Sequence, residues 1–168
     1  NSIPMLITRY SKTWTLLLQY DEDSLNRPRQ LTPANWALDP RKAANAVSIL
    51  KMELAKRGEA GELFGQERER QLSGILGNID QTFDGQELYP SDEEKAANLL
   101  YFIIKDHPFS DGNKRIGSFL FLLFLEENGL LEKSGINENG LVTLALLLAE
   151  SDPRQKDLLV RLVLNLLC

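Results

Sequence analysis

The nine residues His107-Pro108-Phe109-Ser110-Asp111-Gly112-Asn113-Lys114-Arg115 gather a proton acceptor, a carboxylate, a helix start and two cations. His107 is the sole histidine of the chain, and histidine is the residue type that most readily takes up a proton near neutral pH. Asp111 is a carboxylate of the kind that holds Mg²⁺ together with phosphate oxygens. Gly112 and Asn113 stand where a helix begins. The free N–H groups there point at whatever lies in front, and the helix dipole favours an anion. Glycine also lets the backbone come close to a phosphate. Lys114 and Arg115 fall in the first helical turn, where positive charge is unfavourable unless a bound phosphate reverses the sign. Each residue taken singly has a plainer reading: His107 as a cap of the preceding helix, Asp111 and Asn113 as caps, Gly112 as a turn, Lys114 and Arg115 as solvated side chains. Together they describe a phosphate-handling site with a base beside it. Phe109, set between polar neighbours, reads as a packing residue that plugs the loop into the core.

Such a loop needs one helix to deliver the histidine and another to receive the anion. Ser91 and Glu94 form a capping-box pattern that starts the first, and its apolar positions Ala97, Leu99, Leu100, Phe102 and Ile103 carry it to Lys105 or Asp106. The second runs from about Asn113 to Asn128 and is stopped by Gly129. Between Gln81 and Pro90, Asp84-Gly85 lies between Phe83 and Leu88-Tyr89, a hairpin signal because the pair tolerates positive φ. It is the one good strand candidate. Upstream, Leu6, Trp14 and Leu16 to Leu18 predict an apolar-faced first helix ending near Asp21, and residues 26–35, with two prolines, a connecting loop. Asp39-Pro40 is a cap followed by a first-turn proline; its helix passes Ala44, Val47, Ile49, Leu50 and Leu54 to Gly58, a C-terminal stop. A third helix is predicted from Glu67 to Ile79, with Leu72, Ile75 and Leu76 inward. Leu141 to Ala149 predicts another. Asp152-Pro153 starts the last, with Leu158, Leu159, Leu162, Val163 and Leu166 on its buried side. The expectation is all-α: one domain over residues 1–168, with N-terminal helices to 79, a hairpin flap at 81–90, core helices and loop at 91–131, and C-terminal helices at 138–168. No internal repeat is visible.

Composition narrows the function classes. The chain has 168 residues, 43% of them hydrophobic, with 19 basic and 24 acidic residues for a net charge of −5. That is enough apolar material for a core. The acidic balance and the lack of a basic recognition helix argue against direct nucleic-acid binding or a DNA-linked regulatory bundle. The one cysteine, Cys168, permits no intramolecular disulfide, which fits a reducing, cytoplasmic setting. No secretory signal or membrane-length apolar run is visible. A first residue other than Met reads as a fragment of a longer protein.

HPFSDGNKR resembles the signature of the Fic/Doc family: a histidine, a fixed phenylalanine, an acidic residue, then Gly-Asn-(Gly or Lys)-Arg. The preceding hairpin and helix, and the helix that follows, resemble that family's flap-and-core arrangement. Residues 80–131 also resemble the Fic part of RhuM-type virulence proteins and death-on-curing proteins. The resemblance implies a Fic-type helical bundle that uses ATP and Mg²⁺ to modify a Ser, Thr or Tyr hydroxyl of a target protein. It implies that His107 takes the hydroxyl proton, Asp111 binds Mg²⁺, Gly112 and Asn113 form an anion hole, and Arg115 stabilises phosphate charge. It implies that the hairpin, through Thr82, Phe83, Gln86 and Leu88, holds the target's backbone by strand addition.

Two positions depart from the pattern. Lys114 stands where many AMP-transferring members have glycine and resembles the Doc branch, some of which transfers the γ-phosphate. Ser118 stands where a second arginine is usual. The leading expectation is AMP transfer, with Doc-like phosphorylation close behind and a non-catalytic nucleotide-binding or toxin–antitoxin interaction module as a third reading. Ser134 to Asn139, SGINEN, matches the inhibitory motif of many relatives. Gly135 and Asn139-Gly140 nevertheless suit a loop better than a helix, so the expected inhibitor is a separate antitoxin or an upstream segment.

Overall fold

The computed structural model describes residues 2–34 and 38–168. Helix α5 (Asp92–Asp106) is the hub, packed against α4 (Gln71–Ile79), α6 (Asn113–Glu127), α7 (Glu138–Glu150) and α8 (Lys156–Leu167). Around it lie α1 (Ser2–Arg9), α2 (Ser11–Asp21) and α3 (Pro40–Lys56), and a hairpin of β1 (Thr82–Phe83) and β2 (Gln86–Glu87). The described residues thus form eight α-helices and one two-stranded sheet, the expected helical architecture with a hairpin flap. Leu99, Leu100 and Ile103 of α5, Ile116, Leu120 and Phe121 of α6, and Leu159 and Val163 of α8 share one buried cluster. No helix among the described residues is long and apolar enough to cross a membrane.

The first turn of α5 is charged yet buried: Asp92, Glu93, Glu94 and Lys95 are all below one-tenth exposed. Carboxylates suit a helix N-terminus because of the dipole, but buried charge also requires partners. They are supplied by the preceding segment. The Ser91 hydroxyl accepts the Glu94 N–H at 3.0 Å and donates to its carboxylate at 2.9 Å. Arg27 donates to the other Glu94 oxygen at 2.8 Å, and the Thr32 N–H donates to both Glu93 oxygens at 2.8 and 3.0 Å. The irregular chain before α3 is therefore tied over the start of α5; residue 35 of the predicted loop lies outside the described residues.

Several starts and stops follow the sequence signals. The Asp39 carboxylate caps α3 by accepting the Arg41 N–H at 2.7 Å, with Pro40 in the first position and Gly58 at φ 70° beyond the end. The hairpin pairs Thr82 with Glu87 and Phe83 with Gln86 across Asp84 (φ 54°) and Gly85 (φ 78°). Leu72, Ile75 and Leu76 are buried as predicted.

Other boundaries and faces differ. The single first helix is two, broken at Tyr10, and no residue of either is buried. Helix α2 packs mainly on α8, with Leu16, Gln19 and Tyr20 half-buried, while Trp14, Leu17 and Leu18 of α2 and Leu6 of α1 remain exposed. In α3 the buried face is Ala43, Ala46 and Val47, while Ala44 and Ile49 are exposed. Helix α4 begins at Gln71 rather than Glu67, because Glu69 and Arg70 hold positive φ (45° and 61°) and the preceding backbone pairs elsewhere. In α8 the buried stripe is Leu159, Val160, Val163, Leu164 and Leu167; Leu158, Leu162 and Leu166 are half-buried. Leu159 and Val163 are buried as predicted, but that helix packs on both α5 and α2 and is apolar on two sides, so periodicity places the centre of the stripe between them. Ser134 to Asn137 is non-helical as expected, but Asn139-Gly140 belongs to the first turn of α7, where the Asn137 side chain accepts the Gly140 N–H at 2.7 Å.

Replacing Ser91 with alanine removes the cap of the hub helix and one partner of buried Glu94. Urea unfolding should show a loss of about 1–2 kcal/mol, whereas an exposed serine such as Ser48 replaced by alanine should change stability little.

Candidate active site

His107 ends α5 in a left-handed conformation (φ 52°, ψ 60°), its N–H reaching the Ile103 carbonyl at 3.3 Å. The backbone alone does the capping. The imidazole is exposed and makes no hydrogen bond to the described residues. The chain then turns inward. Phe109 is 2% exposed and seats the loop in the core, as predicted.

Across this loop the Asn113 side chain forms a two-way clamp. Its Oδ1 accepts the Phe109 N–H at 3.0 Å and its Nδ2 donates to the Phe109 carbonyl at 2.9 Å. Its amide is therefore occupied in holding the loop, which leaves its backbone N–H as the group of Asn113 that could meet an anion. Gly112 (φ 88°) precedes α6 without any side-chain cap, and the Ile116 N–H is the first bonded within the helix, to Gly112 at 2.7 Å. The N–H groups of Asn113, Lys114 and Arg115 are thus left for a ligand or solvent.

An element that sequence reasoning missed braces the loop from outside. Residues 64–68 run beside residues 108–111: the Gly65 N–H donates to Asp111, Arg68 to Pro108 and Ser110 to Gln66, at 3.1, 2.8 and 2.8 Å. Phe64 is fully buried beneath Gly112, where an added Cβ would meet its ring carbons at 2.4 and 2.5 Å. The one signal was Leu63-Phe64-Gly65, an apolar pair and a glycine inside an otherwise charged stretch.

Arg115 is held in place by three neighbours. Its guanidinium donates to the Glu59 carbonyl at 2.6 Å, lies 4.6 Å from the centre of the Phe64 ring, and stands 3.8 Å from the Asp111 carboxylate. The Glu59 carboxyl is held below its ordinary range, first by its hydrogen bond with Arg57 (2.7 Å), with Arg115 adding to the effect. Asp111 is half-exposed. No cluster of three or more metal-ligating side chains occurs among the described residues. A divalent ion here would rest on Asp111 and on phosphate oxygens, a donor set that Mg²⁺ accepts.

Lys114 is exposed on the rim of an open groove of about 410 Å³, with Arg57, Glu59 and Arg115. The groove wall is apolar, with Leu54, Phe119, Leu122 and Leu141, and Ser118 lies half-buried within it. The structure therefore brings His107, Asp111, Gly112, Asn113, Lys114 and Arg115 into one loop and helix start. It does not join the hairpin to them: among the described residues no hydrogen bond or ion pair links Thr82, Phe83, Gln86 or Leu88 to that loop. Those hairpin residues are exposed, Phe83 at 84%.

Asn113→Ala should keep the fold yet loosen the loop, seen as faster amide exchange at Phe109 and Ser110. Gly112→Ala sets a side chain against the Phe64 ring at positive φ and should lower stability by roughly 2–4 kcal/mol in denaturant melts.

The family model of the Fic/DOC family matches residues 38–125, from the segment before α3 to near the end of α6, and so includes the whole loop. Comparison with curated proteins and with solved structures returns no match. The match covers more than half of the chain, and with it the loop, the hairpin and both flanking helices: this protein belongs to the Fic/DOC family.

Proposed function

We propose that the protein transfers AMP from ATP to a Ser, Thr or Tyr hydroxyl of a target protein, in a cytoplasm that supplies ATP and Mg²⁺. Family membership carries the coarser statement, ATP-dependent modification of targets. The observation that supports transfer to a hydroxyl is the exposed His107 imidazole at the end of α5, across the clamped loop from the open N-terminus of α6, and the preference for the α-phosphorus rests on the intact His-Pro-Phe-Ser-Asp-Gly-Asn core. In this reading the target oxygen attacks the α-phosphorus and the bond from that phosphorus to the bridging oxygen breaks. The hydroxyl proton passes to His107, and pyrophosphate leaves. The free N–H groups at Asn113 and Lys114, past Gly112, cradle the phosphate, and Arg115 meets its developing charge already oriented by Glu59 and Phe64. Asp111 would hold Mg²⁺, which when bound would supply charge neutralisation for the leaving diphosphate.

Lys114 favours a second reading, Doc-like phosphorylation, in which attack falls on the γ-phosphorus and ADP leaves. With Ser118 in an apolar wall and Arg57 paired to Glu59, Lys114 and Arg115 are the cations of the rim available to a terminal phosphate.

The test incubates the protein with Mg²⁺, cell lysate and ATP labelled at either the α- or the γ-phosphate, beside His107→Ala. Label from α-labelled ATP on a protein band, reduced about 10²–10⁴-fold in the variant, is expected. Label from the γ-position alone would replace AMP transfer with phosphorylation. ATP binding with no His107-dependent label from either position would reduce the domain to a binding module.

A further inference from the structure

The hairpin's attachment to the body is unusual for so small an element. Both strands are two residues long and exposed, so apolar packing does not fix their direction. Both of its feet instead meet one buried cation. The Lys95 ammonium, on a side chain 2% exposed, donates to the Ile79 carbonyl at the end of α4 at 3.0 Å. It also pairs with Asp80 just before β1 at 3.0 Å and with Glu87 in β2 at 3.1 Å. Three acceptors match the three donors of an ammonium group.

A buried ion pair is a poor source of stability, because desolvation of the charges offsets most of their attraction. What it provides is a defined geometry. Lys95 lies on α5, the helix whose far end carries His107, twelve residues on, or about 18 Å along a rigid axis. One helix thus fixes the base at one end and clamps the hairpin at the other, with no direct bond between hairpin and loop to do that task.

We propose that Lys95 is a positioning residue for target modification: it sets the placement of the docking hairpin relative to His107. This rests on the reading of the hairpin as the target-docking strand. A target segment added to β1 or β2 then presents its hydroxyl at a fixed offset along α5. Lys95 touches neither nucleotide nor hydroxyl, so its loss acts on target engagement and leaves the nucleotide side alone.

The experiment compares wild type, Lys95→Met, Lys95→Arg and Glu87→Gln by hydrogen exchange and by labelling from α-labelled ATP (or γ-labelled, if that is the active position) at rising lysate concentration. In Lys95→Met the amides of Phe83 to Leu88 should exchange at least tenfold faster while those of α5 and α6 hold. The lysate concentration for half-maximal labelling should rise about tenfold, with ATP affinity and the saturated rate within about twofold. Lys95→Arg should recover part of this, and Glu87→Gln, which keeps the lysine in place, should show a smaller shift in the same direction. Unchanged hairpin exchange in both Lys95→Met and Glu87→Gln, or a fall in saturated rate at unchanged half-maximal concentration, overturns the proposal. If Lys95→Met does not fold, Glu87→Gln decides it alone. If wild type gives no His107-dependent label, the transferase reading fails instead, and unchanged hairpin exchange would still overturn the anchoring by itself.

Discussion

A loop that must expose its polar groups between two buried helices has little reason to keep one shape, and here a single amide supplies that reason. Asn113 closes a ring of two hydrogen bonds on the backbone of Phe109 while Phe109 itself is sunk in the core. Each half needs the other. The buried ring keeps the loop from lifting, and the amide satisfies backbone groups that would otherwise be left near the core without partners. The outer brace of residues 64–68 then fixes the strand 108–111 from its other edge. With the backbone held from both sides, the outward-facing side chains of His107 and Lys114 are not needed to hold the loop, and among the described residues the Asp111 carboxylate is engaged only by its long 3.8 Å pairing with Arg115. The exception is Arg115, which is restrained by Glu59 and Phe64. Restraint suits a group meant to meet charge at one place, since reorganisation is avoided when the charge appears.

The hub helix α5 makes the same trade on a larger scale. Its first turn buries four charged residues, which a domain seeking stability alone would replace with apolar ones. Three of these charges instead tie down other parts of the chain. Glu94 takes Arg27, Glu93 takes Thr32, and Lys95 takes the end of α4 and both feet of the hairpin. Irregular segments that carry no hydrophobic periodicity are thereby registered against the one element that delivers His107. The polar end of α5 organises the loops, and its apolar remainder organises the other helices.

That division explains what was legible in the sequence. Signals written in one residue type at one place were readable: Asp39-Pro40, Asp84-Gly85, Ser91 with Glu94, Gly129, and the loop from His107 to Arg115. Each acts through local backbone chemistry, so no knowledge of the remaining chain was needed. Faces that depend on what packs where were not. The α8 stripe was read in part, Leu159 and Val163 correctly, because two partners cover that helix, and the apolar face expected of the first helix has no buried residue in either α1 or α2. The brace at residues 64–68 was invisible because it works through backbone hydrogen bonds, which any residue can make, and its pairing displaced the start of α4 by four residues. Lys95 sat in a charged helix start that reads as solvated, and only its three acceptors reveal otherwise.

The two departures from the family pattern, Lys114 and Ser118, belong to one helix face and are best considered together. They lie four residues apart, one turn of α6, on the same groove. Positive charge is thus concentrated at the helix start and absent one turn further on, where Ser118 is flanked by Phe119 and Leu122. A phosphate chain extended along α6 would leave the cations and meet leucines, at the desolvation cost that charge always carries against an apolar wall. A compact phosphate chain kept at the N-terminus, near Lys114 and Arg115, would avoid that cost. On α6 the positive charge facing this groove therefore lies at residues 114 and 115, at the helix start, and not at position 118, where the family pattern has a second arginine.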